Sequence, residues 1–173
     1  MKSIAPMVLC VALSLACARA SAQAPAPSTG FRAGFLCQLA DAEKKVVSLA
    51  EAFPGDLNRW RPAEGVRLVS EVFMLHSLVG VPAPEGRARD TEEEVTEKSE
   101  VLRRLASSFA HVRSAVESMP DSVLDSETVI FRRTSSVRGV YLLVANHMHE
   151  QFGQAIAYAR VNGVVPPWSR EGE

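Results

Sequence analysis

Residues 146–169 read NHMHEQFGQAIAYARVNGVVPPWS, and this stretch decides the fold. Its first part has helical spacing. His147 shares a face with Val140, Val144, Gln151, Gln154 and Tyr158, the three-and-four pattern that stacks side chains along one side of a helix. That stripe is unusually polar for a core-facing surface. Polar groups inside a bundle must be satisfied by protein partners, water or a metal. Gly153 allows another helix or a ligand to approach the backbone closely. Gly163 is the expected terminator, and Pro166-Pro167-Trp168 leaves in an extended path.

Upstream, Thr134, Ser135 and Ser136 offer a cap for this fourth helix. Residues 122–133 form a connection whose apolar patch, Val129-Ile130-Phe131, is either extended or one helical turn. A third helix begins at Thr91, which makes a capping box with Glu94, and Glu92 and Glu93 favour the positive helix end. Val95, Leu102, Leu105, Phe109, Val112 and Val116 continue it to Met119-Pro120-Asp121. The second helix covers residues 66–80, with Val69, Val72, Phe73 and His76 on one face, and a Pro-rich loop over 81–86 ends it. The first covers residues 31–53, with Phe35, Leu39, Ala42, Val46 and Ala50 as its stripe and Pro54-Gly55 as its stop. Residues 56–65 connect the first two and hold Trp60, Arg61 and Pro62. Four amphipathic helices, no strand pattern of any length and no internal repeat predict an all-α four-helix bundle.

The N-terminus differs in kind. Lys2, the apolar run from Ile4 to Ala18 and the small residues Ala18-Arg19-Ala20 and Ala20-Ser21-Ala22 have the order of a secretory signal peptide. The expected organisation is a signal over residues 1–22, cut after Ala22 or Ala20, a Pro/Ala/Ser-rich tether over 23–30 and the bundle over 31–169. The protein is therefore expected to be exported, periplasmic or secreted. A retained anchor is the alternative. Lipidation at Cys17 is disfavoured, since Ser14 stands where an aliphatic residue is wanted. Cys10 and Cys17 leave with the signal, so Cys37 remains without an intramolecular partner. Cys37 reads as a small helix residue rather than a nucleophile, because nothing near it in sequence would lower its pKa.

The chain has 173 residues, enough for one domain with a real core, and a net charge of −1. No basic field recruits nucleic acid or an anionic membrane. The chemistry-bearing residues are the histidines 76, 111, 147 and 149. A histidine from helix two, His76, and an i, i+4 pair from helix four can converge on one metal in the bundle core, although a lone histidine on an apolar face is more often a satisfied core residue. His149 points to a different face from His147, and His111 stands off the main stripe.

Residues 153–169 also resemble the C-terminal signature of the DinB-like (DinB/YfiT) superfamily. Trp60-Arg61-Pro62-Ala63-Glu64-Gly65-Val66-Arg67 and Ser70-Glu71-Val72-Phe73-Met74 are similar to the start of helix two in that group. Glu43-Lys44-Lys45 and residues 134–139 fit as well, so the resemblance spans about Phe31 to Ser169. It implies a four-helix bundle, often a homodimer, holding a divalent metal such as Zn or Ni on three histidines, one from helix two and two from helix four. It also implies a small-molecule substrate and a metal-dependent hydrolase or thiol transferase activity.

Two positions depart from that pattern. Gln151 stands where the second helix-four histidine is usual, and Leu75 stands where the helix-two histidine is usual, with His76 one residue later. One residue turns a side chain about 100° round the helix. The metal set the resemblance implies here is His76, His147 and Gln151, with Gln151 and Gln154 orienting a bound group. The alternative is a non-catalytic exported bundle with a degenerate metal site that binds a partner or small ligand. Trp60 and Trp168 read as caps on the bundle ends, or as a substrate-lining wall.

Overall fold

A computed structural model describes residues 27–77 and 95–170. The signal expected over residues 1–22, residues 23–26 of the expected tether, the loop expected over 81–86 and the capping box expected at Thr91 and Glu94 lie outside the described residues.

Helix α1 spans Gly30–Ala52 and buries Phe35, Leu39, Ala42, Val46, Leu49 and Ala50. Phe53 closes it, its N–H donating to the Leu49 carbonyl at 3.2 Å, and Pro54 turns the chain into a 3-10 turn over Gly55–Arg59. Helix α2 spans Val69–Ser77, starting later than the sequence pattern suggested. The reason is local. Gly65 adopts φ 75°, a left-handed turn that favours glycine, so Val66 and Arg67 lie outside the helix. The Leu68 N–H donates to Glu71 Oε2 at 2.6 Å, the carboxylate half of a capping box built without a Ser or Thr.

Helix α3 spans Lys98–Ser118; Val95, expected within it, is buried but precedes the helix, and the start anticipated at Thr91 lies outside the described residues. Tertiary contacts set this boundary. Asn58 Nδ2 donates to the Thr96 carbonyl at 2.9 Å. Lys98 Nζ donates to the Glu51 and Phe53 carbonyls, satisfying orphan acceptors at the end of α1. The buried stripe of α3 is Val101, Leu105, Ser108, Phe109, Val112 and Val116.

A two-stranded antiparallel hairpin interrupts the helical order, a feature the sequence pattern did not suggest. Strand β1, Glu127–Ile130, pairs with β2, Arg133–Ser136, in the register Glu127↔Ser136 to Ile130↔Arg133. The patch at Val129 and Ile130 is thus extended. Phe131 and Arg132 form the turn with φ 49° and 62°. Thr134 and Ser135 belong to β2, and Ser136 alone caps the next helix, its Oγ accepting from the Gly139 N–H at 3.1 Å.

Helix α4 spans Val137–Val161. Gly163, at φ 71°, terminates it as expected. Gly163 N–H donates to the Arg160 carbonyl at 3.2 Å and Val164 N–H to the Ala159 carbonyl at 2.8 Å, the paired bonds of a Schellman motif. A last 3-10 turn, Pro167–Ser169, returns to α1.

Helix α1 packs on α3 and α4, and α2 packs on the same two. The shared core includes Leu39, Val46, Leu49, Phe53, Val72, Phe73, Leu105, Val116, Met148 and Ala159. Phe53 and Phe73 meet edge to face at 5.6 Å, joining the end of α1 to α2. Trp60 and Trp168 are half-buried against this core, and the Trp168 ring lies tilted against Phe152 with centroids 5.5 Å apart. Among the described residues, no helix is long and apolar enough to cross a membrane.

Candidate functional site

The polar stripe read from the sequence lies along the buried side of α4. Met148, Gln151, Ala155, Tyr158 and Ala159 are its buried residues, and His147 and Gln154 are half-buried beside them. Tyr158 ties this helix to the start of α2. Its hydroxyl donates to the Arg67 carbonyl at 3.2 Å and accepts from Gln154 Nε2 at 2.8 Å, while the Trp60 ring meets the Tyr158 ring at 5.4 Å.

Gln151 is 6 % exposed, and its Oε1 has no hydrogen-bond partner among the described residues. Ser70 Oγ, on α2, is the other buried side-chain oxygen in that condition. A buried acceptor left unmade costs about 1–3 kcal/mol, so such atoms are expected only where something external completes them. His147 has no hydrogen-bond or ion-pair partner among the described residues. His149 is exposed and lies along its own helix, with Nδ1 2.8 Å from the Ala145 carbonyl. His111 is exposed on α3. The backbone at His76 belongs to α2, and its side chain lies outside the described residues. Cys37 is exposed on α1 and free among the described residues.

Above this stripe is a cleft of about 590 Å³, lined by Arg61, Gly65, Val66, Arg67, Glu71 and Gln154. Glu71 is 7 % exposed, and the Leu68 N–H occupies one of its oxygens. Gln154 uses its amide nitrogen on Tyr158. Sequence reasoning missed Glu71 and Arg67. The available signal was the spacing from Leu68 to Glu71, which is that of a capping box with an apolar residue in the capping place.

The metal that the resemblance implies requires a donor set. The described residues bring one imidazole, His147, and one amide oxygen, Gln151, to one side of α4. Among them, no three His, Cys, Asp or Glu side chains lie together. Zn²⁺ and Ni²⁺ sites are built from several nitrogen, sulfur or carboxylate donors, and a neutral amide is a weak substitute. The described donors do not fit such an ion.

No family model and no curated protein matches the chain. Solved structures do. A DinB-like protein from Bacillus cereus ATCC 10987 superposes with a TM-score of 0.66 at 17 % identity, covering 78 % of this chain and 94 % of that one. A DinB-like protein from Bacillus subtilis superposes with a TM-score of 0.58 at 19 % identity, covering 76 % and 93 %. Helix order, packing and these two superpositions agree: the chain has the helical-bundle fold of the DinB-like proteins.

Proposed function

We propose that this protein is an exported bundle that binds a small molecule in the seam between α2 and α4, without a resident metal enzyme's chemistry. The observation that carries this reading is Gln151. Its amide oxygen is buried and unpartnered on the inward side of α4, at the position where the resemblance implies an imidazole. An amide there is a good hydrogen-bond acceptor and a poor ligand for Zn or Ni. A bound donor group, or a water held beneath a ligand, completes it. Export rests on the leader-like N-terminus, and a homodimer rests on the resemblance alone.

A second reading is a divalent-metal hydrolase or thiol transferase using His76, His147 and Gln151. It is favoured by His147, half-buried one turn from Gln151 with no partner among the described residues. One experiment separates the two. The full chain is produced for export to a bacterial periplasm beside His147→Ala and Gln151→His, and each is assayed for Zn and Ni. The binding reading expects far less than one metal per chain in the parent and in His147→Ala, with uptake in Gln151→His. Near-stoichiometric metal in the parent, lost in His147→Ala, would overturn it in favour of the metal enzyme.

A further inference from the structure

The cleft at the start of α2 has a charge pattern that names a ligand class. This inference rests on the small-molecule reading above and adds what the molecule is; Gln151 does not line the cleft, so its amide oxygen is completed by a water beneath the ligand rather than by the ligand itself. Arg61 and Arg67 line the cleft, are exposed, and have no carboxylate partner among the described residues. Arg32, Arg103, Arg104, Arg113 and Arg138 are each held by an Asp or Glu, whereas Arg59, Arg132, Arg133, Arg160 and Arg170 are also without a carboxylate among the described residues; what distinguishes Arg61 and Arg67 is that both line one cleft with a buried carboxylate. Glu71 lines the same cleft, buried, with one oxygen on the Leu68 N–H and the other accepting from no described residue. Gln154 gives one amide N–H to the Tyr158 hydroxyl, and its carbonyl oxygen accepts from no described residue.

Two arginines, one buried carboxylate and one amide therefore line the same cleft, whose volume suits a small ligand. Guanidinium forks bind carboxylates in a planar, two-point fashion. A carboxylate beside an amide oxygen binds an ammonium group, which donates and does not accept. The cleft carries one positive charge more than negative charge. A ligand with two carboxylates and one ammonium balances it.

We propose that the cleft binds a small amino dicarboxylate, an acidic amino acid in chemical class. Its carboxylates sit on Arg61 and Arg67, and its ammonium sits on Glu71 and the Gln154 carbonyl. The Glu71 bond to the Leu68 N–H holds this carboxylate in place before a ligand arrives, which limits its ordering cost on binding.

The test is titration calorimetry of the full exported chain with L-glutamate, and with glutarate, which has the two carboxylates without the ammonium. Circular dichroism checks that each variant keeps its helices. L-glutamate is expected to bind saturably and about tenfold or more tightly than glutarate, in line with a lost charge-assisted hydrogen bond. Arg61→Ala and Arg67→Ala are each expected to weaken glutamate binding by about tenfold or more. Arg67→Ala keeps the backbone carbonyl that Tyr158 uses. Glu71→Gln keeps an acceptor for the Leu68 N–H but removes the charge, so it is expected to close the gap between glutamate and glutarate. Saturable binding that ignores Arg61→Ala and Arg67→Ala would overturn the proposal, as would no binding of L-glutamate. No glutamate binding in a metal-poor chain sinks the ligand class alone. Stoichiometric metal that depends on His147 sinks the reading beneath it.

Discussion

Glu100, Arg103 and Arg104 form a charged cluster at the surface in the first turns of α3, with Arg103 exposed and Glu100 and Arg104 half-buried. Arg103 makes two bonds of 2.7 Å to the Glu100 carboxylate, and Arg104 adds one of 2.6 Å. The Arg103 hydrogen bonds first, and the Arg104 bond second, lower the Glu100 carboxyl from 4.5 to about 2. A depressed carboxyl stabilises the folded chain fully above its unfolded value and loses that contribution as pH falls through its folded value. The window is therefore from about pH 4.5 down to about pH 2. Glu100→Gln is expected to melt below the parent at pH 5, and the two curves are expected to converge as pH approaches 2. A deficit that stays constant over that range would show that the ion pairs contribute nothing. The effect is small, because exposed pairs are screened.

At the scale of the element, the hairpin carries an evident local conflict. Its two-residue turn places both Phe131 and Arg132 at positive φ, the requirement of a type I′ turn, which Asn-Gly meets best. A side chain in that region costs about 1–2 kcal/mol. Phe131 is also 83 % exposed, so it recovers little by burial. Replacing the pair, Phe131→Asn with Arg132→Gly, is expected to raise the melting temperature by a few degrees, since about 1 kcal/mol moves a domain of this size by about 2–4 °C. An unchanged or lower midpoint in a thermal melt would mean that the turn is held by contacts of the Phe131 ring. The same conflict explains why the hairpin was hard to read. Val129-Ile130-Phe131 fitted either an extended run or one helical turn, no Gly or Asn marked the turn, and Thr134-Ser135-Ser136 looked like a cap rather than a strand.

For the whole molecule, stability depends on a core with no disulfide among the described residues. Leu49 is fully buried in α1, the helix that packs on both α3 and α4. Leu49→Ala is expected to cost about 2–5 kcal/mol in urea unfolding, from lost burial and the cavity left behind. A cost below about 1 kcal/mol would mean that α1 docks loosely and the bundle is held by its other helices. The same substitution leaves the cleft residues untouched, so binding of L-glutamate to the folded protein is expected to persist.

The helices were legible from the sequence because burial imposes its own period. The stripe from Phe35 to Ala50 in α1 and that from Leu105 to Val116 in α3 fell where expected. The α4 stop at Gly163 was written in a residue that tolerates left-handed backbone. The polar character of the α4 stripe, with Gln151 at its centre, was also visible, because identity and spacing suffice to place residues on one face. Tertiary structure decided the rest. The start of α3 at Lys98 depends on Asn58 and on the end of α1, partners far away in the chain. The cleft depends on bringing the Gly65 turn against Gln154 and Tyr158, which only the packing of α2 on α4 does. Periodicity reports which side of a helix faces inward; which groups meet there is settled by how the helices dock.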